Sequence, residues 1–138
     1  MKKNKYKFII DGDPIAQARH RFHKFGVYDP SSKDKKSVRK QIQKYTPSEK
    51  LVGAIHLYIY FYCKRPKYHY GSGKNSEKIK DKYLNSYKIT KPDLDNYIKF
   101  YMDCLDQFWE DDNQVVIINS SKYYANKKPR TEIMIFEI

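Results

Sequence analysis

The sequence predicts an α/β fold of the α+β kind: one small domain, residues 1–138, in which a mixed β-sheet carries helices packed against it. Three observations predict it. The 138 residues suffice for one core and fall short of two. Apolar residues make up 40% and charged residues 32% of the chain, ordinary values for a globular domain. Segments of two-residue hydrophobic period alternate with segments of helical period, in the order β, loop, α, β, long loop, α, β, β.

KYKFII (5–10) reads as the first strand, closed by the turn signal DGDP. RHRFHKFGVYDP (19–30) follows as a loop or hairpin that interleaves basic and aromatic side chains. SSKDKKSVRKQIQKY (31–45) reads as a helix: Ser31 or Ser32 caps it, Val38, Ile42 and Tyr45 share one side, and lysines cover the rest. LVGAIHLYIYFYC (51–63) is free of formal charge and rich in aromatic and β-branched residues, the pattern of a mid-sheet strand buried on much of both faces. Residues 64–91, with Pro, Gly, Ser, Asn and nine positive charges, read as a mobile surface connection with a short helix at 76–86.

Pro92 then suits entry into a helix over LDNYIKFYMDCLDQFW (94–109), with Asp93 at its N-cap. Leu94, Ile98, Tyr101, Met102, Leu105, Phe108 and Trp109 recur on one stripe, the expected core face. Asp95, Lys99, Asp103 and Asp106 line a second face. Tyr97, Phe100 and Cys104 form a third, smaller stripe, which points either to a subunit interface or to rim packing. QVVIINSSKYYA (114–125) and TEIMIFEI (131–138) close the chain as two strands, expected as a hairpin joined at NKKPR.

No window holds eighteen apolar residues, and the basic start is followed by too short an apolar run for a signal peptide. The expectation is a cytoplasmic protein with no membrane association and no small-molecule cofactor. Cys63 and Cys104 lack CxxC spacing and read as buried, reduced thiols, while the four histidines are scattered. A metal held by His or Cys is not indicated.

The formal charge is +12, but it is unevenly divided. Residues 1–50 carry +9 and residues 64–92 carry +7, whereas residues 93–118 carry −6. Uniform basicity would imply only nonspecific attraction to a polyanion. This partition implies a polyanion bound around an acidic centre. Asp93 at the helix cap and Asp95 in the first turn can both face the space before the helix, and Asp112, after the helix, can be returned toward them by the chain. Carboxylates clustered without His or Cys suit a hard cation such as Mg²⁺. The same residues also read as a helix cap and a polar turn, and both readings stay open at this point.

KPDLDNYIKFYMDCLDQFWEDDNQVV (91–116) resembles the RusA family of Holliday junction resolvases. The likeness lies in DLDN, a lysine four residues after its second Asp, a helix, and then W-x-D-D-x-Q-V-V. GDPIAQARHRF (12–22) and YDPSSKDKKSVRK (28–40) resemble the family's opening segments, with Ala16, Gln17 and His20 standing where many members carry Pro, Lys and Pro. The resemblance implies a RusA-like fold and a homodimeric, Mg²⁺-dependent endonuclease, with Mn²⁺ able to substitute. Such an enzyme resolves four-way DNA junctions by paired symmetric nicks, in recombination and repair, leaving 5′-phosphate and 3′-hydroxyl ends. It places the catalytic and metal-binding acids at Asp93, Asp95 and Asp112, the essential lysine at Lys99, and an additional acid at Asp111. Arg19, Arg21, Lys24, Lys64, Arg65, Lys67 and Lys91 are the expected DNA contacts. Two rivals remain at this stage: a non-catalytic basic nucleic-acid-binding protein, and a related nuclease preferring flap or branched DNA. The Lys, Asn, Ile and Tyr bias suggests an AT-rich genome, of a phage or prophage.

Overall fold

The computed structural model describes residues 4–18, 21–23 and 26–138, with only the backbone of 21–23 and 28. Strands β1 (Lys5–Asp11), β2 (Arg21–His23) and β3 (Gly26–Tyr28) precede helix α1 (Ser32–Ile42). Strand β4 (Ile55–Cys63), helix α2 (Leu94–Cys104) and strands β5 (Val115–Tyr124) and β6 (Arg130–Glu137) complete the chain. β2 and β3 pair antiparallel as a small hairpin. The main sheet has the order β1-β6-β4-β5, with β4 and β5 parallel and the other pairs antiparallel. The result is the mixed-sheet α+β domain that the alternating periods predict. No helix among the described residues is long and apolar enough to cross a membrane.

β4 lies mid-sheet, as expected, but only one of its faces is buried. Ile55, Leu57, Ile59, Phe61 and Cys63 are buried in strict alternation with half-exposed His56, Tyr58, Tyr60 and Tyr62. Phe8 and Ile10 of β1, Ile133 and Ile135 of β6, and Val38 and Ile42 of α1 join the buried side. The other face of the sheet is uncovered.

The structure overturns the expected β5–β6 hairpin. The two strands are consecutive and antiparallel in direction, yet β4 lies between them. The cause is where the chain goes after β5. Ala125 N–H donates to the Cys63 carbonyl at the end of β4, and Arg65 Nε donates to the Ala125 carbonyl. The chain is therefore captured over the end of β4 and returns along that strand's far edge.

α2 is also shorter than its periodicity suggests. Leu105 N–H donates to both Tyr101 and Met102 carbonyls, the helix ends, and a turn drops Phe108 and Trp109 into the core. Leu51 N–H then donates to the Phe108 carbonyl, pinning this turn before β4. The helix faces are corrected too. Tyr97, Phe100, Tyr101 and Cys104 are buried, whereas Leu94, Ile98 and Met102 are only partly buried. The smaller stripe is core, because α2 crosses the sheet with that side down, and it is not a subunit interface. Burying a side chain such as Phe100 stabilises by about 1.5–3 kcal/mol. Both cysteines are free and buried, and burial pushes the Cys104 thiol up to about 12.

Residues 64–91 contain 3₁₀ turns at Lys67–His69, Gly73–Asn75 and Asp81–Tyr83; no α-helix forms at 76–86. The segment is strapped to the sheet. Lys88 N–H donates to Lys122 O, Tyr124 N–H to Ser86 O, and the Arg65 guanidinium reaches the Tyr83 carbonyl at 2.7 Å.

Candidate active site

The acids of 93–118 fall into classes once their partners are known. Asp103 and Asp106 face α1. The buried Lys35 ammonium bridges Asp29 and Asp103, 2.8 Å from the latter, and Arg39 pairs with Asp106 at 3.2 Å. Burial alone would lower the Lys35 pKa, but the hydrogen bonds to Asp103 and Asp29 outweigh it and raise it. Asp29 is held below the usual carboxylate range chiefly by its bond to Lys35. These pairs clamp α1 to α2, and the sequence reading missed Lys35 because it stands among the lysines assigned to the solvated side of that helix.

Asp111 caps the 3₁₀ turn Asp112–Gln114. Its Oδ1 accepts from Asn113 N–H at 2.8 Å, while Gln114 Oε1 accepts from Asp111 N–H at 2.8 Å. That is a structural duty for the additional acid. Asp112 is different: Oδ1 accepts from buried Trp109 Nε1 at 2.9 Å, and the residue is exposed. Its neighbours in a recess of about 300 Å³ are Met102, Asp103, Asp106 and Arg39, toward the C-terminal half of α2.

Asp93 occupies the N-cap position of α2, but its side chain makes no capping hydrogen bond. An Asp in that position ordinarily binds the exposed N–H groups of the first turn. Here the Asp93 side chain is exposed and makes no such bond. Asp95 stands in the first turn, also exposed, with Lys99 at 3.8 Å one turn later. Both partners of that pair are about two-thirds exposed (65% and 67%), so the contact is a loose one.

The helix start is held from several sides. Lys122 Nζ, on β5, donates to Thr90 O at 2.8 Å and to Pro92 O at 2.7 Å. Thr90 Oγ1 accepts from Lys88 Nζ and meets the Tyr124 hydroxyl at 3.1 Å. From the opening loop, Gln17 N–H donates to Asn96 O at 2.9 Å, and Ile15 N–H to the Tyr101 hydroxyl at 3.0 Å. Lys122 is a residue that sequence reasoning missed. A single lysine in a strand carries no signal until its carbonyl partners are known.

Asp93 and Asp95 are both exposed at the start of α2, two residues apart, and Asp112 lies elsewhere, in the recess beside Met102. About seven residues of helix, or roughly 10 Å of axial rise, separate Asp95 from the Met102 level where Asp112 lies. Among the described residues no three His, Cys, Asp or Glu side chains converge on one point. Of the expected DNA contacts, Lys64, Lys67 and Lys91 are exposed. Arg65 is not. It is buried and donates to Ala125 O, Tyr83 O and Asn126 Oδ1, with His69 Nδ1 at 3.0 Å from its NH1. With its donors engaged inside the fold it is an anchor, and the expectation of a DNA contact there is corrected. Arg19 and Lys24 lie outside the described residues, and for Arg21 only the β2 backbone is described.

The family model described as Endodeoxyribonuclease RusA matches residues 11–136. A protein of Bacillus subtilis (strain 168), described as uncharacterized protein YqaN, is 34% identical over 139 residues, covering 96% of each chain.

Proposed function

The chain belongs to the RusA endodeoxyribonuclease family, and from that premise we propose that it is a metal-dependent nuclease resolving four-way DNA junctions by paired symmetric nicks. The observation that carries the reading is Asp93. A carboxylate at a helix N-cap that leaves the helix uncapped, beside a second exposed carboxylate and a lysine, is held for a ligand rather than for the fold. The donors are all carboxylate oxygens, which fits Mg²⁺ or Mn²⁺. Bound there, the cation supplies charge against the phosphate oxygens and lowers the pKa of a water to make it nucleophilic at neutral pH.

In this reading Asp93 and Asp95 hold the cation from the helix start. Lys99 keeps its ammonium beside them and offers it to the scissile phosphate. Exposed Lys64, Lys67 and Lys91 bind the flanking phosphates, which position the junction without reading sequence. Lys122 fixes the Thr90–Pro92 turn from which Asp93 projects.

Asp112 enters through a homodimer. α2 runs back along β5: its start meets Lys122 near the end of that strand, and Met102 lines the recess with Asp112 just before the strand begins. A two-fold axis across the middle of this pair exchanges its ends and brings the partner's Asp112 toward Asp93 and Asp95. The surface around such an axis is apolar, with Leu94, Ile98 and Met102 half-buried on α2 and Val116 and Ile118 58% and 40% exposed on the edge strand β5. The symmetry matches that of the junction. Such an enzyme acts inside the cell, where the DNA is.

The test is cleavage of a labelled synthetic four-way junction beside linear duplex and flap DNA, each with Mg²⁺, with EDTA and with Asp93→Asn. Paired nicks confined to the junction, lost with EDTA and in the variant, are expected. Tight junction binding with no cutting under any divalent cation would refute the nuclease reading. Preferential cutting of the flap would replace the substrate.

A further inference from the structure

The sheet face turned away from the helices ends in a file of flat groups. The Arg130 guanidinium lies 4.0 Å from the centroid of the Tyr62 ring. Tyr62 and Tyr123 stack at 5.1 Å with planes 19° apart, and Tyr123 and Tyr87 stack at 5.1 Å and 24°. Tyr87 is 63% exposed and ends the file. Alongside opens a recess of about 660 Å³, walled by Tyr62, Tyr123, Tyr124, Asn126, Lys127 and Lys128. No carboxylate lines it, and the acid nearest in sequence to Arg130, Glu132, is already paired with that arginine at 2.8 Å.

Rings and lysines together narrow the ligand. Duplex phosphates need the lysines but leave the rings idle, since paired bases are stacked on one another. A neutral aromatic molecule needs the rings but leaves the lysines idle. An unpaired nucleotide uses both, with its base against tyrosine and its phosphate near Lys127 and Lys128. We infer that this recess binds an unpaired nucleotide of single-stranded DNA.

The chain links the recess to the candidate active site: residues 85–90 run from Asn85 in its wall, through Tyr87, to Thr90, which meets the Tyr124 hydroxyl and stands three residues before Asp93. In this inference the unpaired nucleotide comes from a strand opened at the branch point. Only this assignment of the strand's source rests on the nuclease reading; binding of the nucleotide does not require catalysis.

The experiment is a fluorescence anisotropy titration of a short labelled oligothymidylate, and of a blunt duplex of equal length, in EDTA. The variants are the exposed-face pair Tyr87→Leu/Tyr123→Leu and the turn pair Lys127→Ala/Lys128→Ala. The tyrosine pair is expected to weaken oligothymidylate binding about tenfold and duplex binding less than about twofold. The lysine pair is expected to lower the salt slope for the oligothymidylate by about 1.4.

The inference falls if the tyrosine pair leaves oligothymidylate affinity within about twofold, or weakens duplex binding equally. It falls as well if that pair converts a dimer to a monomer in sedimentation, because the face is then a subunit contact. Junction nicking by the wild type, followed in parallel with Mg²⁺, separates the two readings. Tyrosine-dependent strand binding without nicking overturns the nuclease and keeps the recess, and the reverse result does the opposite.

Discussion

Replacing Arg65 by lysine keeps the charge and removes the fork, which separates a DNA contact from an anchor. In the structure the guanidinium serves four partners on three segments: Ala125 O, Asn126 Oδ1, Tyr83 O and His69 Nδ1. An ammonium at the end of a shorter, unforked chain cannot reach all of them, and leaves at least two buried acceptors without a donor. Each such loss costs about 1–3 kcal/mol, so about 3 kcal/mol in total is expected. For a chain of this size that corresponds to a fall of about 10 °C in unfolding midpoint. Thermal unfolding by circular dichroism gives the first number, and anisotropy with a labelled junction, measured well below the midpoint, gives the second. The anchor reading expects the stability loss with junction affinity within about twofold of wild type. An unfolding midpoint within about 2 °C of wild type, together with weakened junction binding, would refute it.

Other perturbations follow from the same contacts. His69 is buried, accepts from Arg65 through Nδ1 and stacks on Tyr83 at 4.1 Å; burial, then Arg65 and Lys80, lower its pKa below 6.5. Its contribution to stability is therefore present above pH 6.5 and lost as the pH falls through its lower folded value, so the unfolding midpoint drops as the pH is taken below 6.5, and His69→Gln flattens that drop. Asp29, also lowered but from 3.8, adds a separate loss only under more acid conditions. Lys122→Met is expected to slow junction nicking about tenfold by freeing the turn before Asp93, with Lys122→Arg recovering part of the rate and neither moving the unfolding midpoint by more than about 3 °C. Phe100→Ala, at a fully buried site, costs about 3–5 kcal/mol in denaturant unfolding, whereas Ile98→Ala costs clearly less; equal losses would mean that the faces of α2 are misassigned. Ile118→Glu on the edge strand is expected to shift sedimentation toward the monomer and to abolish nicking without loss of fold.

Local pattern carried most of the fold. The hydrophobic alternation of 55–63 and the Ser-to-Ile run of α1 announce their elements because strand and helix periods are properties of neighbouring residues. What local pattern cannot carry is which edge a strand takes. β5 and β6 look like a hairpin by spacing, and the contact that separates them is Arg65, some sixty residues upstream of Ala125. The faces of α2 failed for a related reason: apolar residues surround most of that helix, so periodicity alone does not say which stripe meets the sheet. Asp93 and Asp95 were legible as a pair because one short stretch holds both. Asp112 was not placeable, since its distance from them depends on where α2 ends and on the course of the turn that follows it.

The charge pattern was legible in sign and misleading in amount. The sequence shows twelve surplus positive charges, and it invites the view that all of them face DNA. Several of the 28 lysines and arginines are instead engaged internally: Lys35 with Asp29 and Asp103, Arg39 with Asp106, Arg65 with carbonyls of Tyr83 and Ala125, and Lys122 with the carbonyls before α2. The acids sort by the same logic. Asp103 and Asp106 are neutralised by α1 and Asp111 is engaged by its turn, which leaves Asp93 and Asp95 exposed at the start of α2 and Asp112 exposed beyond its other end. Had these three been neutralised by the same internal cations, no cation from solution would be needed near them. Because Lys35 and Arg39 are committed elsewhere and Lys99 pairs only loosely, the carboxylates at the helix start keep residual negative charge. That is the condition under which carboxylates attract a divalent cation inside a surface that attracts phosphate, and it follows from who is paired with whom rather than from how many charges the chain carries.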